Sequence, residues 1–202
     1  MKLYYSPGAC SLSPHIALRE AGLAFEPVLV STKSHKLQDG TDYYSVNPLG
    51  YVPLLGLDDG TRLREGPAIV QYIADQAPMK NLAPANGTLP RYRLQEWLTF
   101  IGTEIHKTFS PLFNPAMPEE GKQIFRDKLA ARFGWVDGQL AGKECLMGDH
   151  FTVADGYLYV ITRWAKPMNI DLGGCPNLLA HQERVTARPA VQEALKAEGL
   201  LK

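Results

Sequence analysis

The spacing of apolar and polar residues along the chain changes near residue 78. Before that point the apolar residues come in short runs that are typical of strands: KLYYS at 2–6, FEPVLV at 25–30 and PLLGL at 53–57. Between the first two runs, the stretch SPHIALREAG predicts a helix with a Ser-Pro start and a glycine end. The chain therefore begins as strand, helix, strand.

The next elements extend this order. The third run and TRLRE at 61–65 predict two strands joined by Asp59-Gly60, which is a strong hairpin signal. A helix over GPAIVQYIADQ follows, with Gly66 at its cap and Pro67 in its first turn. A strand-helix-strand unit requires a parallel pair and a hairpin adds an antiparallel strand. The first part of the chain thus predicts an α/β, thioredoxin-like domain over residues 1–78.

The second part of the chain predicts helices only. Residues 79–88 lie in a stretch rich in proline and glycine and read as a linker. After it, apolar residues recur at helical spacing: Leu94, Trp97, Leu98, Ile101 and Ile105. Further on, VADGYLYVITRWA is apolar on most sides and predicts a buried central helix, with Thr152 and Asp155 as a capping box at its start. Residues 89–202 are expected to form an all-α domain.

Composition narrows the classes of partner. The 202 residues carry 21 basic and 21 acidic side chains, which argues against a nucleic-acid or an anionic membrane surface as the main partner. We expect no signal peptide, no transmembrane span and a cytoplasmic location. The three cysteines, Cys10, Cys145 and Cys175, do not have a metal-ligand spacing, so no metal is expected.

Cys10 lies in the loop that leads into the first predicted helix. A helix N-terminus favours an anion and can stabilise a thiolate. Ser13 stands where a C-x-x-C motif would place a second cysteine, so an intramolecular redox pair is excluded there. Cys10 is then either a packing residue with no chemical role, or a thiol that acts alone or with an external thiol.

Five ordered stretches resemble the cytosolic glutathione transferases, and specifically the bacterial beta class. They surround Cys10 (YYSPGACSLSPHIALREAG), Pro53 (NPLGYVP), Glu65 (REGPAIVQYIAD), His106 (EWLTFIGTEIHKTFSPLF) and Asp155 (GDHFTVADGYLY). The resemblance covers nearly the whole chain. It implies a thioredoxin-like domain followed by a helical domain, a homodimer, and glutathione as co-substrate with no other cofactor.

The resemblance also implies a glutathione site. Glu65 would meet the ammonium of the tripeptide, the Gly66 N–H the γ-glutamyl carboxylate, and the backbone of Val52 the cysteinyl unit before a cis Pro53. For the glycyl carboxylate, the chain offers His35 where family members commonly have lysine, with Lys33 and Lys36 on either side. The second domain would contribute the following residues: Thr99, where the class often has asparagine, Thr103, Glu104 and His106.

The catalytic roles implied by the resemblance fall on Cys10 and His106. Cys10 would form a mixed disulfide with glutathione or tune the site without being essential. The donor to the glutathione thiolate stays open among these side chains: Tyr4, Tyr5, Ser11 and His106. The expected activity is conjugation of glutathione to small apolar electrophiles in detoxification, with reductive dehalogenation included. A monothiol glutathione-dependent reductase and a non-catalytic carrier of glutathione and apolar ligands are the alternatives.

Overall fold

The computed structural model describes residues 1–201, which divide into two compact units. One unit comprises Met1–Ala83 together with the residues from Arg188 onward, and the other comprises Pro84–Ala187. The sequence places the helical domain at residues 89–202, whereas by its contacts the C-terminal segment groups with the sheet. The physical reason is that the last helix packs within the first unit.

The first unit is built on a five-stranded sheet. Its strands are β1 (Lys2–Tyr5), β2 (Glu26–Ser31), β3 (Lys36–Leu37), β4 (Leu54–Gly56) and β5 (Arg62–Leu63). The spatial order is β3-β2-β1-β4-β5, with β1 and β2 parallel and every other pair antiparallel. This confirms the predicted strand-helix-strand unit and the hairpin at Asp59-Gly60. The two-residue β3 was not predicted, because its flanking sequence is polar and irregular.

Helix α1 (Leu12–Ala21) connects β1 to β2, helix α2 (Gly66–Gln76) follows β5, and the two helices pack against each other. The apolar residues that the sequence assigns to their inner faces are buried: Ile16, Ala17, Leu18, Ile69, Val70 and Ile73. Helix α1 ends as predicted at Gly22, whose φ is 68°. It begins two residues earlier than the Ser-Pro signal suggests, so Ser13 lies inside the first turn and its buried hydroxyl has no hydrogen-bond partner among the described residues.

The C-terminal segment closes the first unit through a buried contact between a carboxylate and a histidine. Helix α8 (Pro189–Ala197) packs on α1, and Glu198 follows it. The Glu198 carboxylate lies 2.8 Å from Nδ1 of His15 and accepts a 2.9 Å hydrogen bond from the Gly8 N–H, in the loop that carries Cys10. A carboxylate with no exposed surface is stable only when it is paired in this way.

The second unit is helical. Its main helices are α3 (Leu89–Phe100), α4 (Lys107–Phe109), α5 (Glu119–Leu140), α6 (Val153–Thr162) and α7 (Pro176–Thr186). All ten residues of α6 are buried, which confirms the predicted central helix. Its start is the predicted capping box: Thr152 donates its N–H and its hydroxyl to Asp155 at 2.8 and 2.9 Å.

The sequence predicts one regular helix through Ile105, but the structure has a wider helical turn in this segment. Residues Ile101–His106 form a π-helical turn between α3 and α4. The N–H of Lys107 bonds to the carbonyl of Gly102, five residues back instead of four. Such a turn holds more residues than a regular α-helical turn, so the side chains that follow it point in different directions from those of an uninterrupted α-helix. The orientation of His106 therefore depends on this wide turn.

No helix within residues 1–201 is long and apolar enough to cross a membrane.

Candidate functional site

Cys10 lies two residues before α1, in a loop closed by backbone hydrogen bonds. The N–H groups of Leu12 and Ser13 bond to the carbonyls of Ala9 and Cys10 at 3.0 and 3.1 Å. Two of the helix-start donors that the sequence suggests for an anion are therefore already used. The half-buried Cys10 side chain keeps its position at the positive end of the helix dipole.

The Cys10 thiol contacts one of the other predicted site residues. Its Sγ donates a hydrogen bond to the Val52 carbonyl at 3.3 Å. The Val52–Pro53 peptide bond is cis, as predicted. Only the protonated thiol can make this hydrogen bond, because a thiolate has no proton to donate. Cys10 is thus a thiol in this arrangement and loses the bond when it reacts.

Side chains hold three consecutive carbonyls of the loop before Pro53. The Gly50 carbonyl lies 3.2 Å from Nδ1 of His35, and the Val52 carbonyl accepts from Cys10. Between them, the Tyr51 carbonyl accepts from the Tyr43 hydroxyl at 2.9 Å and the Asn47 amide at 2.8 Å. Burial raises the pKa of Tyr43 to about 12, so its hydroxyl remains a donor at physiological pH. The loop residues 50–52 are therefore fixed before any ligand arrives.

His35 is part of this support. Its ring stacks on Tyr44 with centroids 4.7 Å apart, and its backbone has a φ of 52° in the left-handed region. Because Nδ1 faces a carbonyl, it must carry a proton, which leaves Nε2 as the atom available to a ligand. His35 would offer a positive charge to a ligand carboxylate only with a second proton, on Nε2.

Glu65 and Gly66 stand at the start of α2. Glu65 is the N-cap, with a φ of 65° that is rare for a residue with a side chain, and its carbonyl accepts from the N–H groups of Ala68 and Ile69. Its exposed carboxylate makes no hydrogen bond or ion pair within residues 1–201. Gly66 is the first helical residue, so its N–H has no acceptor within the helix. Both groups are available to a ligand that carries an ammonium and a carboxylate.

Three of the candidate thiolate donors, Ser11, Tyr4 and Tyr5, contact other residues of the first unit. Ser11 is buried and donates its hydroxyl to the Ser6 carbonyl at 3.2 Å while it accepts from the Ser6 N–H. The Tyr4 ring packs on Tyr43 and the core beneath it. The Tyr5 ring contacts His15, and burial followed by the Glu198 charge raises the Tyr5 pKa. Ser11 thus has no proton left to give, and a raised pKa keeps the Tyr5 hydroxyl protonated.

In the second unit, the predicted site residues occupy the end of α3 and the π-helical turn. Thr99 and Thr103 are exposed, and the Thr103 hydroxyl donates to the Thr99 carbonyl at 3.0 Å. Glu104 pairs with Arg132 at 2.9 Å and Lys128 at 3.6 Å on α5. The Arg132 hydrogen bond and the Lys128 charge lower the Glu104 pKa. Glu104 is thereby held by its own unit.

His106 is the most enclosed of these residues. Its Nδ1 lies 2.6 Å from the Tyr157 hydroxyl, and its ring meets the Trp164 ring edge-on with centroids 5.1 Å apart. Burial, with a smaller contribution from the Lys107 charge, lowers the His106 pKa to about 4. At physiological pH the imidazole is therefore neutral and offers one N–H donor.

Sequence reasoning missed two residues that shape these positions. Tyr157 stands within the quoted GDHFTVADGYLY stretch but lies two residues past the capping pair, and only the folded helix brings it to His106. Gly50 has a φ of 68°, and a Cβ there would lie 2.6 Å from the Tyr44 ring. The glycine in NPLGYVP was a usable signal for this close approach. No cluster of metal-ligating side chains occurs among the described residues.

The chain is similar to known proteins over nearly its whole length. Two family models match the chain, the glutathione S-transferase N-terminal domain over residues 8–76 and the glutathione S-transferase C-terminal domain over residues 100–189. Glutathione S-transferase GstA of Escherichia coli O157:H7 is 46% identical over 200 residues, which cover 99% of this chain and 100% of that protein.

Solved structures give the same result. BphK, a bacterial GST solved as a ternary complex, is 61% identical with a TM-score of 0.97, covering 99% of this chain and 100% of its own. A sphingomonad glutathione S-transferase complexed with glutathione and the beta-class enzyme of Sphingomonas chungbukensis are each 50% identical with TM-scores of 0.96. Both cover 100% of this chain and of their own.

Proposed function

Because this chain belongs to the glutathione S-transferase family, with bacterial beta-class members among its solved relatives, we propose that it transfers glutathione to small apolar electrophiles. We also propose that Cys10 adds thiol–disulfide exchange to this activity. The observation that carries the second part is the Cys10 thiol, which lies 3.3 Å from the Val52 carbonyl at the start of α1.

The first unit supplies the groups that a γ-glutamyl tripeptide needs. The exposed Glu65 carboxylate suits the ligand's ammonium, and the Gly66 N–H at the start of α2 suits its α-carboxylate. The Val52 backbone would pair with the cysteinyl unit, which brings the ligand's sulfur towards Cys10. His35, once protonated on Nε2, would bind the glycyl carboxylate.

His106 would assist as a neutral donor. A neutral imidazole cannot balance a thiolate by net charge, but its N–H can donate one hydrogen bond to the sulfur. Conjugation then proceeds by attack of the thiolate on an electrophilic carbon, which expels a leaving group with its bonding electrons. Thr99 and Thr103 are exposed polar groups proposed for the same ligand. Glu104 would support the site indirectly instead of binding the ligand, because its carboxylate is already paired with Arg132.

Cys10 would take part in a second cycle. Its thiolate attacks the glutathione sulfur of a mixed disulfide between glutathione and a substrate thiol, so a Cys10–glutathione bond forms and the substrate leaves as thiolate. A glutathione thiolate then attacks the glutathione sulfur bound to Cys10, which releases Cys10 and forms glutathione disulfide. In reductive dehalogenation, Cys10 would attack the sulfur of a glutathione conjugate. The carbon leaves with the bonding electrons and takes a proton from water, and a second glutathione reduces the mixed disulfide.

The other two cysteines are less suited to this chemistry. Cys175 is buried, and burial, followed by the charges of Asp137 and Asp171, raises the pKa of its thiol. Cys145 stands in a turn closed by reciprocal hydrogen bonds with the backbone of Gly148 at 2.8 and 3.1 Å. None of the three cysteines is in a disulfide.

A panel of electrophiles and disulfides, each assayed with glutathione, tests the proposed function. The panel includes an aryl chloride, an alkyl halide, an enone, a chlorinated aromatic acid and hydroxyethyl disulfide. Conjugation of at least one carbon electrophile at a rate far above the uncatalysed one supports the transferase. Turnover of the disulfide alone supports the reductase alternative, and glutathione binding with no turnover supports the carrier.

A further inference from the structure

The Tyr157 hydroxyl and Nδ1 of His106 are 2.6 Å apart, a short distance for a neutral hydrogen bond. Either atom could be the donor. If His106 donated through Nδ1, its Nε2 would be a bare acceptor and could offer no N–H to a ligand. If Tyr157 donates, Nδ1 is the acceptor and the proton of the neutral ring must sit on Nε2. The two arrangements give the imidazole opposite chemistry.

The surroundings favour donation by Tyr157. A phenol at physiological pH is protonated, and it is a stronger acid than a neutral imidazole N–H. The hydroxyl proton therefore goes to the better base, the unprotonated imidazole nitrogen. The enclosed position of the ring, between Tyr157 and Trp164, disfavours a second proton on it.

We propose that Tyr157 is a positioning residue: its hydroxyl donates to Nδ1 of His106 and thereby fixes the ring proton on Nε2, the nitrogen that can donate to a substrate sulfur. The catalytic part of this inference rests on the role proposed above for His106. The position of the proton does not rest on that role, because both partners belong to the same unit.

The fold places the two partners independently. Tyr157 lies on the fully buried helix α6, and only 3% of its surface is exposed. The start of that helix is locked two residues earlier by Asp155, which accepts hydrogen bonds from Leu146, Thr152 and His181. His106 closes the π-helical turn, whose wide register sets the direction of its side chain. A rigid hydroxyl thus meets an imidazole at the end of a special turn.

A hydroxyl two residues further along α6 provides a matched control. Tyr159 is also fully buried, but its hydroxyl accepts from Arg163 at 3.0 Å and from Thr186 at 3.2 Å. Tyr159→Phe therefore removes a buried phenol oxygen from the same helix without touching His106. It corrects for any general loss of stability.

The experiment combines histidine ¹⁵N NMR with steady-state kinetics on the full chain. We expect wild-type His106 to show an Nε2–H tautomer whose Nδ1 signal is shifted by an accepted hydrogen bond. In Tyr157→Phe that shift should vanish and kcat for conjugation should fall about tenfold, with little change in KM for glutathione. Tyr159→Phe should keep the wild-type spectrum and kcat. His106→Gln is measured alongside them.

Each outcome separates the two proposals. An Nδ1–H tautomer in the wild type would overturn the inference outright. A Tyr157→Phe enzyme that matches Tyr159→Phe in kcat while His106→Gln is impaired would overturn the positioning role of Tyr157 in catalysis. A fully active His106→Gln would instead overturn the role proposed for His106 and, with it, the catalytic part of this inference.

Discussion

At the residue scale, Gly50 determines how closely His35 and Tyr44 can approach the loop before Pro53. A Cβ on Gly50 would lie 2.6 Å from Tyr44 Cε1 and 2.9 Å from His35 Nδ1, closer than side chains tolerate. Gly50→Ala must therefore displace His35. We expect KM for glutathione to rise about three- to tenfold, the value of one hydrogen bond.

Gly60→Ala is the control for this change. Gly60 also has a positive φ, of 87°, but a Cβ there meets nothing within 4 Å. Both variants place a Cβ at a positive φ, and Gly50→Ala differs by its contacts with His35 and with Tyr44, on which His35 stacks. Equal KM values for the two variants would show that His35 does not contact glutathione.

His106 should make the stability of the protein depend on pH. Its pKa falls from 6.5 to about 4 on folding, mainly through burial. Between these values the unfolded chain binds a proton that the folded chain does not, so stability decreases as the pH drops from 6.5 towards 4. The whole change corresponds to about 3 kcal/mol, of which about 2 kcal/mol is lost between pH 7 and pH 5. Urea unfolding at pH 7 and pH 5 measures the loss.

His106→Gln should lose less stability than the wild type over this range, whatever its absolute stability. The exposed His150 provides the comparison, since His150→Gln should keep the wild-type pH dependence. A loss in His106→Gln as large as that of the wild type would mean that other groups cause it.

At the element scale, helix α6 depends on Asp155, a fully buried carboxylate. Its partners are the Leu146 N–H, the N–H and hydroxyl of Thr152, and Nε2 of His181. Asp155→Ala leaves these buried donors without an acceptor, so we expect a loss of about 3–5 kcal/mol in unfolding free energy. Denaturant titration measures it.

Asp127→Ala on helix α5 is the matched control. Asp127 is exposed and accepts one hydrogen bond from Gln123, so its loss should change stability by about 0.5 kcal/mol or less. Equal unfolding free energies for the two variants would show that the hydrogen bonds of Asp155 do not stabilise the protein. Activity per folded molecule should be normal in Asp127→Ala, because that side chain is not assigned to the proposed site.

The elements also show how much of the fold can be predicted from the sequence alone. Local sequence signals predict the β1-α1-β2 unit, the hairpin, α2 and the α6 capping box. Among these signals are Gly22, Asp59-Gly60 and Thr152 with Asp155. Such signals do not predict the π-helical turn at Ile101–His106, because apolar spacing there is compatible with a regular helix, and the extra residue per turn is selected by packing. The same limit applies to contacts far apart in sequence, such as the 51 residues between His106 and Tyr157.

At the scale of the whole molecule, exposed aromatic and aliphatic side chains suggest self-association. On α3 and α5 the Trp97 and Trp135 rings are 5.5 Å apart, and 48% of Trp135 is exposed; Tyr92 and Ile124 are more exposed still. We expect a homodimer, as the family resemblance implies. Sedimentation at micromolar concentration should give twice the 22.3 kDa of one chain.

Trp135→Arg should shift this equilibrium towards the monomer. Leu179→Arg, on helix α7, places the same charge on another exposed apolar residue and should leave the dimer intact. A wild-type chain that sediments as a stable monomer would refute the dimer altogether.

The central claim is that one molecule carries out two thiol reactions and that Cys10 is needed for only one of them. The most direct measurement is a paired assay of conjugation and disulfide reduction on Cys10→Ala, with Cys145→Ala as the control. We predict that Cys10→Ala loses disulfide reduction and keeps part of its conjugation, because the groups of Val52, Glu65 and Gly66 remain. Disulfide reduction at the wild-type rate, or loss of conjugation while glutathione still binds, would contradict the account.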